Sequence, residues 1–379
     1  DMDKADHMIE NVIGRFTLPM GVGINFVING KDYVIPMVTE EPSVVAACSN
    51  AAKMARPGGG FTTDYTGSVM ISQIQLLDVP APFYAKGKIL ENKEKIAEIC
   101  NARDPMLVKL GGGVKDVEVR VLDSLVGPMV VVHLLVDTGD AMGANAVNTM
   151  AEAVAPFLEE LTGGRAELRI LSNLADHRIA RARAVFKKDA IGGEEVVDKM
   201  IAAYAFAAAD PYRAATNNKG IMNGIIPVVI ATGNDTRAIE SGAHAYAARS
   251  GQYSPFATWE KNADGDLVGS IEMPMAVGLV GGATKIHPAA KVAVKMLGVK
   301  TAGELAQIIA AVGLAQNMAA MRALATEGIQ RGHMSLHARN LAATAGATGE
   351  LLEKIVKQMV SEKNVRLEYA QELVKQYQK

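Results

Sequence analysis

The chain has 379 residues, with 39 Lys and Arg against 41 Asp and Glu, and 49% of its residues are apolar. This length predicts two or three globular domains, and the apolar fraction excludes a disordered chain. A net charge of −2 argues against a nucleic-acid partner, which would require an excess of Lys and Arg. The longest apolar stretches considered, such as 201–209 and 273–283, are shorter than the roughly 20 residues of a membrane span. No membrane contact is therefore predicted.

Cysteine and histidine content sets the expected compartment and metal content. Only Cys48 and Cys100 occur, so we expect neither a disulfide framework nor a cysteine-based zinc site, and a reducing cytoplasm is favoured. His333 and His337 are four residues apart and would share one face of a helix. The sequence has no His-Glu-x-x-His motif and no evident third ligand, so no metal is expected.

Hydrophobic periodicity changes in an informative order in the first half of the chain. The predicted elements are a strand at Val69–Leu77, a helix at Glu91–Arg103, strands at Val117–Leu122 and Pro128–Val136, a helix at Ala146–Leu161 and a strand at Ala166–Leu171. The order β-α-β-β-α-β is that of a ferredoxin-like module.

The flanking segments have a different pattern. Ala-rich helices are predicted at Pro42–Arg56, Glu194–Ala209 and Arg237–Arg249, a hairpin at 256–273, and a buried strand at Ile225–Ala231. The fold class is therefore α+β: a large helix-dominated domain (1–67 and 173–328) with an inserted small domain (68–172) and a C-terminal helical segment (329–379). Thr301 and Glu304 form a capping box for the helix that follows them.

A glycine-containing turn lies between the predicted strand 128–136 and helix 146–161. Its sequence, Asp-Ala-Met-Gly-Ala-Asn at 140–145, would present free backbone N–H groups at a helix N-terminus, where a pyrophosphate can bind. The alternative is an ordinary capped turn, since no Gly-x-Gly-x-x-Gly fingerprint is present.

Three further groups of charged residues each have two interpretations. Glu40 and Glu41 precede an Ala-rich helix, where carboxylates are usually solvated but a buried one could act as an acid. Lys219 and Asp235 stand at the two ends of the predicted strand and could form a buried pair. The basic run from Arg178 to Lys188 is typical of a solvated strand face.

Taken together, several motifs resemble those of hydroxymethylglutaryl-coenzyme A reductase of the bacterial and archaeal class. They are Glu-Asn-Val-Ile-Gly at 10–14, Thr-Glu-Glu-Pro-Ser at 39–43, the turn 140–145, Asn-Lys at 218–219, Gly-Asn-Asp at 233–235, Gly-Gly-Ala-Thr at 281–284 and Gly-His-Met at 332–334. The resemblance implies an enzyme that interconverts hydroxymethylglutaryl-coenzyme A and mevalonate plus coenzyme A by two hydride transfers from a nicotinamide cofactor.

The resemblance also implies the roles of four catalytic residues. Glu41 would protonate the carbonyl oxygen, Lys219 would stabilise its developing negative charge, and Asp235 would hydrogen-bond both of them. His333, on a mobile C-terminal flap, would protonate the departing thiolate. These roles match what the chemistry requires, since hydride adds to a carbonyl only if the negative charge that develops on the oxygen is stabilised.

Binding residues follow from the same motifs. For the acyl group the resemblance implies Ser43, Asn173, Arg213, Asn223 and Gln316, and for the dinucleotide it implies Asp140, Met142, Gly143 and Asn145. Asp104 would accept hydrogen bonds from the adenosine ribose and repel a 2′-phosphate, which favours NADH. Arg103 beside it could instead attract that phosphate and favour NADPH.

The resemblance further implies a homodimer or a multiple of it, because the family builds its active site from two subunits. The sequence also has two alternative functional interpretations. A coenzyme A thioester hydrolase could use Glu41 and His333 to activate water, and a non-catalytic coenzyme A-binding module would not need all four catalytic groups. Hydride transfer distinguishes the reductase from both.

Overall fold

The computed structural model describes residues 6–326 and 328–377, except for the side chains of Ala283, Lys285 and residues 329–336. Within these ranges the strands form two sheets of six and four strands. The strands are β1 (Met20–Ile28), β2 (Lys31–Val38), β3 (Phe61–Tyr65), β4 (Val69–Leu77), β5 (Gly113–Leu122), β6 (Met129–Asp137), β7 (Arg165–Ser172), β8 (Ile179–Phe186), β9 (Ala257–Lys261) and β10 (Leu267–Pro274). The fold is thus mixed α+β, as predicted.

Helices cover much of the rest of the described chain. They are α1 (Val44–Ala55), α2 (Pro82–Glu91), α3 (Lys93–Asn101), α4 (Pro105–Lys109), α5 (Ala144–Thr162), α6 (Lys188–Ile191), α7 (Glu194–Ala209), α8 (Pro211–Ala231), α9 (Thr236–Ala247), α10 (Gly282–Ile286), α11 (Pro288–Leu297), α12 (Ala302–Ala325), α13 (Ile329–Thr344), α14 (Gly349–Ser361) and α15 (Leu367–Tyr377).

The four-stranded sheet has the order β5-β6-β4-β7, and its neighbouring strands are antiparallel. Its elements follow the strand and helix order that the sequence pattern predicts between residues 69 and 172. The predicted helix 91–103 is wrong in its bounds, because two helices meet at Asn92, which leaves the helical conformation with φ −106° and ψ 18°. The proposed domain boundaries remain a prediction.

The six-stranded sheet has the order β2-β1-β3-β8-β10-β9. Its β9–β10 pair is the predicted hairpin, with Leu267 opposite Lys261. Trp259 is 2% exposed on this hairpin, and its indole N–H donates to Asn317 at 2.7 Å. This bond joins the sheet to α12, which packs against β3, β8 and β10.

The predicted buried strand Ile225–Ala231 is wrong, because these residues are the last two turns of α8. The β-branched run and Pro227 favour a strand by local propensity. Burial overrides that propensity: Ile221, Ile225, Val228 and Val229 are all 0% exposed in the main core, and α8 packs lengthwise on α12. The buried character of the segment was correctly predicted.

Helix α12 is the central helix of the larger part of the fold. It is long and apolar enough to cross a membrane, although the sequence analysis predicts no such segment. Most of its side chains are buried in the protein, so packing accounts for its apolar character. Thr301 caps its N-terminus as predicted, accepting from the backbone N–H of Glu304 at 3.1 Å.

Helices α13, α14 and α15 follow α12 and share a small core of their own. Its buried members are Ala338, Ala342, Ala347, Ile355, Met359, Ala370, Leu373 and Val374, and they form a cluster distinct from the main one. A separate core allows such a unit to move as a body relative to its neighbours. The segment predicted as a C-terminal flap (329–379) contains these helices, and its role as a flap stays a prediction.

The contact between α8 and α12 yields a test of the packing. A methyl group on Gly224 would lie 2.7 Å from Cβ of Gln316 and 3.1 Å from the carbonyl oxygen of Val312. Gly224→Ala should therefore push the helices apart and lower the free energy of unfolding by about 1–3 kcal/mol, as measured by chemical denaturation.

Gly220, one turn earlier in α8, provides the matched control. A methyl group there would meet nothing within 4 Å, so Gly220→Ala should raise the free energy of unfolding by up to about 1 kcal/mol through helix propensity. Equal stabilisation by both substitutions would contradict the close approach of the two helices.

Candidate active site

Six of the predicted site residues line one cavity of about 300 Å³ between α1, α8 and α12, which we call the Glu41 cavity. They are Glu41, Ser43, Arg213, Lys219, Asn223 and Gln316. The structure thus assembles most of the predicted acyl-binding residues and two of the predicted catalytic residues at one place.

Glu41 is the hydrogen-bonding centre of this cavity. Its Oε2 lies 2.8 Å from Nζ of Lys219, and its Oε1 accepts from the amide nitrogen of Asn223 at 3.1 Å. Lys219 and Asn223 are four residues apart in α8, so both side chains project from the same face. An acid, a cation and an amide donor therefore converge on one point.

The residues before Lys219 fix the rotation of α8. Asn218 is fully buried and donates to the Tyr253 hydroxyl and the Ser254 carbonyl, both at 2.9 Å, while accepting from the backbone N–H of Phe256. Because Asn218 is anchored in the core, the next residue points about 100° away, and Lys219 is 63% exposed.

Ser43 has a strained backbone at the start of α1. Its φ is +76°, in the left-handed region that non-glycine residues rarely occupy. Although Ser43 is at the N-cap position, its hydroxyl makes no cap hydrogen bond, so it remains available to the cavity. Strain of this kind is common where a side chain is held for function.

Gln316 projects into the cavity from α12. It is 6% exposed, and its Oε1 accepts no hydrogen bond within the described part of the chain. A buried carbonyl oxygen without a donor is unfavourable, so a ligand hydroxyl or amide is a suitable partner. Arg213, one turn of helix from the buried Asn217, adds a guanidinium suited to a carboxylate.

A second cavity of about 750 Å³ lies at the N-terminus of α5, and we call it the Asp235 cavity. Met142, Gly143 and Asn145 line it, and so do Asp104 and Asp235. Gly143 occupies the N-cap position and provides no side-chain cap. The free N–H groups of the first turn and the positive helix end therefore face a space of ligand size. These residues fit a dinucleotide pyrophosphate.

Asp235 is the N-cap of α9 and is bonded to its own helix. Its Oδ1 accepts from the backbone N–H groups of Arg237 and Ala238 at 2.9 and 3.2 Å, and the Arg237 guanidinium lies 3.3 Å away. Partial burial raises the pKa of Asp235, but the hydrogen bonds from Arg237 and Ala238 outweigh it and lower the pKa overall. Asp235 is therefore held as a carboxylate.

Asp104 is likewise an N-cap, at the start of α4. Its Oδ1 accepts from the backbone N–H of Leu107 at 2.9 Å, and both Asp104 and Arg103 line the Asp235 cavity. Both residues that the sequence analysis weighed for cofactor choice thus face the same space.

The prediction that Asp235 bonds both Glu41 and Lys219 is not met within one chain. Asp235 bonds Arg237 and the first turn of α9, and the Glu41 and Asp235 cavities share no lining residue. The expected placement of Lys219 and Asp235 at the ends of a strand is wrong because the intervening residues are helical.

Three other predicted residues lie apart from both cavities or outside the described side chains. Asp140 accepts from the backbone N–H of Ala302 at 2.7 Å and so caps α12. Asn173 is exposed just after β7 and lines neither cavity. His333 belongs to α13, but its side chain lies outside those that the structure describes. Among the described residues, no group of three His, Cys, Asp or Glu could hold a metal ion.

Two arginines were missed by the sequence analysis. Arg237 was not considered, although an arginine two residues after a capping aspartate can reach back to it. Arg178 was assigned to a solvated strand face, and this is wrong because it is 0% exposed. No local pattern marks Arg178 as buried, because its hydrogen-bond acceptors are distant in the sequence.

Comparison with known proteins agrees with this geometry. The sequence profile of the family described as hydroxymethylglutaryl-coenzyme A reductase matches residues 1–338. The chain belongs to this family. A 3-hydroxy-3-methylglutaryl-coenzyme A reductase of Archaeoglobus fulgidus is 64% identical over 373 residues, which cover 98% of this chain and 85% of that relative.

More distant relatives carry the same description. A probable 3-hydroxy-3-methylglutaryl-coenzyme A reductase of Borreliella burgdorferi is 39% identical over 89% of this chain and 78% of its own length. The class II reductase of Streptococcus pneumoniae, in a structure bound to NADPH in open conformations, superposes with a TM-score of 0.84 and 43% identity, covering 100% of this chain and 92% of that one. These similarities place the chain in class II of the reductase family.

Proposed function

We propose that the two cavities carry out the reductase reaction, which converts hydroxymethylglutaryl-coenzyme A to mevalonate and free coenzyme A and can run in reverse. The Glu41 cavity binds the acyl group and the Asp235 cavity binds the dinucleotide. The observation that carries this assignment is the convergence of Glu41, Lys219 and Asn223, with 2.8 and 3.1 Å contacts, beside an unpaired Gln316 oxygen.

Acid and cation act together at the thioester carbonyl. A nicotinamide cofactor held in the Asp235 cavity would supply the hydride for each of the two reductions at the carbonyl carbon. Lys219 stabilises the negative charge that develops on the carbonyl oxygen, and Glu41 donates a proton to that oxygen. Asn223 holds the Glu41 carboxyl group in position. Arg213 binds the distal carboxylate of the substrate through its two-pronged guanidinium, and Ser43 and Gln316 orient the hydroxyl-bearing carbon.

Departure of the thiolate requires a proton donor of its own. The resemblance assigns this role to His333, which belongs to α13. Gly328 precedes α13 with φ +77° and lines the Glu41 cavity, so the flap begins at the rim of the cavity. A hinge at Gly328 would bring α13 over the thioester after binding and exclude water.

Lys219→Ala should lower hydride transfer by about 10²–10³-fold or more, because the oxyanion loses its cation. The measurement is thioester-dependent oxidation of NADH and NADPH, followed by absorbance. Lys199→Ala removes an exposed lysine that pairs with Glu195 and should keep normal turnover. Thiol release without any cofactor would instead favour a thioester hydrolase, and normal turnover by a folded Lys219→Ala variant would remove Lys219 from the mechanism.

A homodimer would join the two cavities. In one chain Asp235 does not meet Glu41 or Lys219, so we propose that Asp235 of one subunit approaches the Glu41 cavity of the other. Its carboxylate would then orient Lys219 and Glu41 across the interface.

Mixing two inactive variants tests this arrangement. Lys219→Ala and Asp235→Asn each inactivate every site of their own homodimer. A mixed dimer has one intact site, which combines Asp235 of the Lys219→Ala subunit with Lys219 of the Asp235→Asn subunit. Co-expressed subunits that pair at random should recover about a quarter of normal activity, since half of the dimers are mixed and each has one working site of two. No recovery in dimers shown to be mixed would place both residues of each site in one chain.

The cofactor preferred by the Asp235 cavity follows from Asp104, and we propose NADH. A carboxylate beside the adenosine ribose accepts hydrogen bonds from the ribose hydroxyls and repels a 2′-phosphate.

We also propose a cytoplasmic location. Both free cysteines of the described chain, Cys48 and Cys100, are buried thiols, which suits a reducing cytoplasm.

Asp104→Asn should lower the ratio of kcat/KM for NADH to kcat/KM for NADPH, because it removes the repulsion of the 2′-phosphate. Asparagine removes the charge but can still accept from the N–H of Leu107 and cap α4, so the helix is preserved. Asp104→Ala removes both charge and cap, and comparison of the two separates repulsion from loss of structure. A clear preference of the unaltered enzyme for NADPH would show that Arg103 dominates.

A further inference from the structure

Arg178 is the most completely buried charged side chain among the described residues, with 0% exposure, and the mechanism above does not use it. Its guanidinium makes five hydrogen bonds. The acceptors are the hydroxyls of Tyr65 (2.7 Å) and Thr138 (3.1 Å) and the carbonyl oxygens of Ala141 (3.1 Å), Met142 (3.2 Å) and Val277 (2.5 Å). All five acceptors are uncharged.

A buried charge usually has a partner of opposite sign. Three of the acceptors of Arg178 are instead backbone carbonyls, and no carboxylate of the described chain forms an ion pair with it. A positive charge in a weakly polar interior acts over a longer distance than one in water, and dissolved salt screens it little. The positive electrostatic potential of Arg178 therefore extends into the nearest solvent-filled space.

That space is the Asp235 cavity, because two of the acceptors belong to the turn that lines it. Ala141 and Met142 border the cavity, and their carbonyl oxygens point inward to Arg178. In a planar peptide the N–H points opposite to the C=O. The inward Met142 carbonyl therefore turns the N–H of Gly143, at the start of α5, away from Arg178.

The same turn is joined to the segment after β10. The carbonyl oxygen of Asp140 accepts from the backbone N–H groups of Leu279 and Val280 at 2.8 and 3.2 Å. A methyl group on Gly278 would lie 2.5 Å from the backbone nitrogen of Met142, so only glycine allows this approach. The carbonyl of Val277 in this segment is bound by Arg178 itself.

The segment after β10 in turn contacts the loop that carries Asp235. The backbone N–H of Gly278 donates to Oδ1 of Asn234 at 2.7 Å. A continuous set of hydrogen bonds thus runs from Arg178 through the cofactor turn and Gly278 to the residue before Asp235.

We propose that Arg178 is a positioning residue for cofactor binding: it fixes the turn 141–143 so that the backbone N–H groups at the start of α5 face the Asp235 cavity, and its unpaired charge favours the pyrophosphate there. This inference rests on the proposed assignment of that cavity to the nicotinamide dinucleotide. Arg178 touches no reacting atom, and it acts through the turn and through the electrostatic potential.

Arg178→Met and Arg178→Lys separate the two contributions. Methionine removes both the charge and the hydrogen bonds, and the dissociation constant for NADH or NADPH, measured by fluorescence titration, should rise about 10-fold or more. The dissociation constant for hydroxymethylglutaryl-coenzyme A should change by less than about 2-fold, because the Glu41 cavity shares no lining residue with the turn. Lysine keeps the positive charge but not the planar, multiply hydrogen-bonding guanidinium, so Arg178→Lys should lose less cofactor affinity than Arg178→Met.

Arg183→Met is the matched control. Arg183 lies on β8, which begins directly after Arg178, and is exposed, so its replacement should leave both dissociation constants unchanged. Equal weakening of both ligands in Arg178→Met would reveal general destabilisation and overturn the inference, as would unchanged cofactor binding in a folded variant.

Amide hydrogen exchange provides a readout that does not depend on any ligand. In ligand-free Arg178→Lys, the amides of residues 141–145 should exchange faster than in the unaltered protein, whereas the strands of the larger sheet should not change. Uniform or unchanged exchange would overturn the positioning role even if Arg178→Met does not fold. If the unaltered protein bound no nicotinamide dinucleotide while exchange still rose locally, the proposed function would fail and the positioning of the turn would stand.

Discussion

The close approach of α8 and α12 is the contact on which the Glu41 cavity depends. Gly224 of α8 lies against Gln316 and the Val312 carbonyl of α12, and Gly313 of α12 leaves room for the side chains of Ile221 and Ile225 of α8, which are buried in the main core. A helix pair at this distance brings Lys219 from one helix and Gln316 from the other to a single cavity. The shape of the Glu41 cavity thus depends on two glycines that do not line it.

The proposed catalytic groups Glu41, Lys219 and Asp235 are divided between two cavities that share no lining residue. In each, a charged group is held by a helix: Glu41 by two side chains of α8, and Asp235 by the first turn of α9. This arrangement separates the two acidic side chains within one chain, and in the proposed homodimer a second subunit would bring them together. Division of the site between subunits would also make assembly a requirement for activity.

Much of this was predictable from the sequence, and the failures have physical causes. Strand β4 and helix α7 were predicted to the residue, since both have clear hydrophobic patterns, and Glu41, Lys219 and Asn223 were predicted as site residues through the resemblance. The strand assigned to Ile225–Ala231 failed because a buried helix shows no polar face and its β-branched residues mimic a strand. Arg178 was misjudged because no local pattern distinguishes a buried cation that bonds carbonyls distant in the sequence.

Adjacent residues of α8 show how stability and chemistry are divided. Asn218 is fully buried with three hydrogen bonds to the 253–256 segment, so its loss would leave buried polar groups unpaired. Lys219 and Glu41 are 63% and 34% exposed, and ion pairs with that access to water contribute roughly 0–1 kcal/mol to folding. The ion pair between Glu41 and Lys219 therefore contributes little to the stability of the fold. Both groups are open to a ligand, and an incoming carbonyl oxygen can replace Glu41 as the acceptor of Lys219 at little cost to the fold.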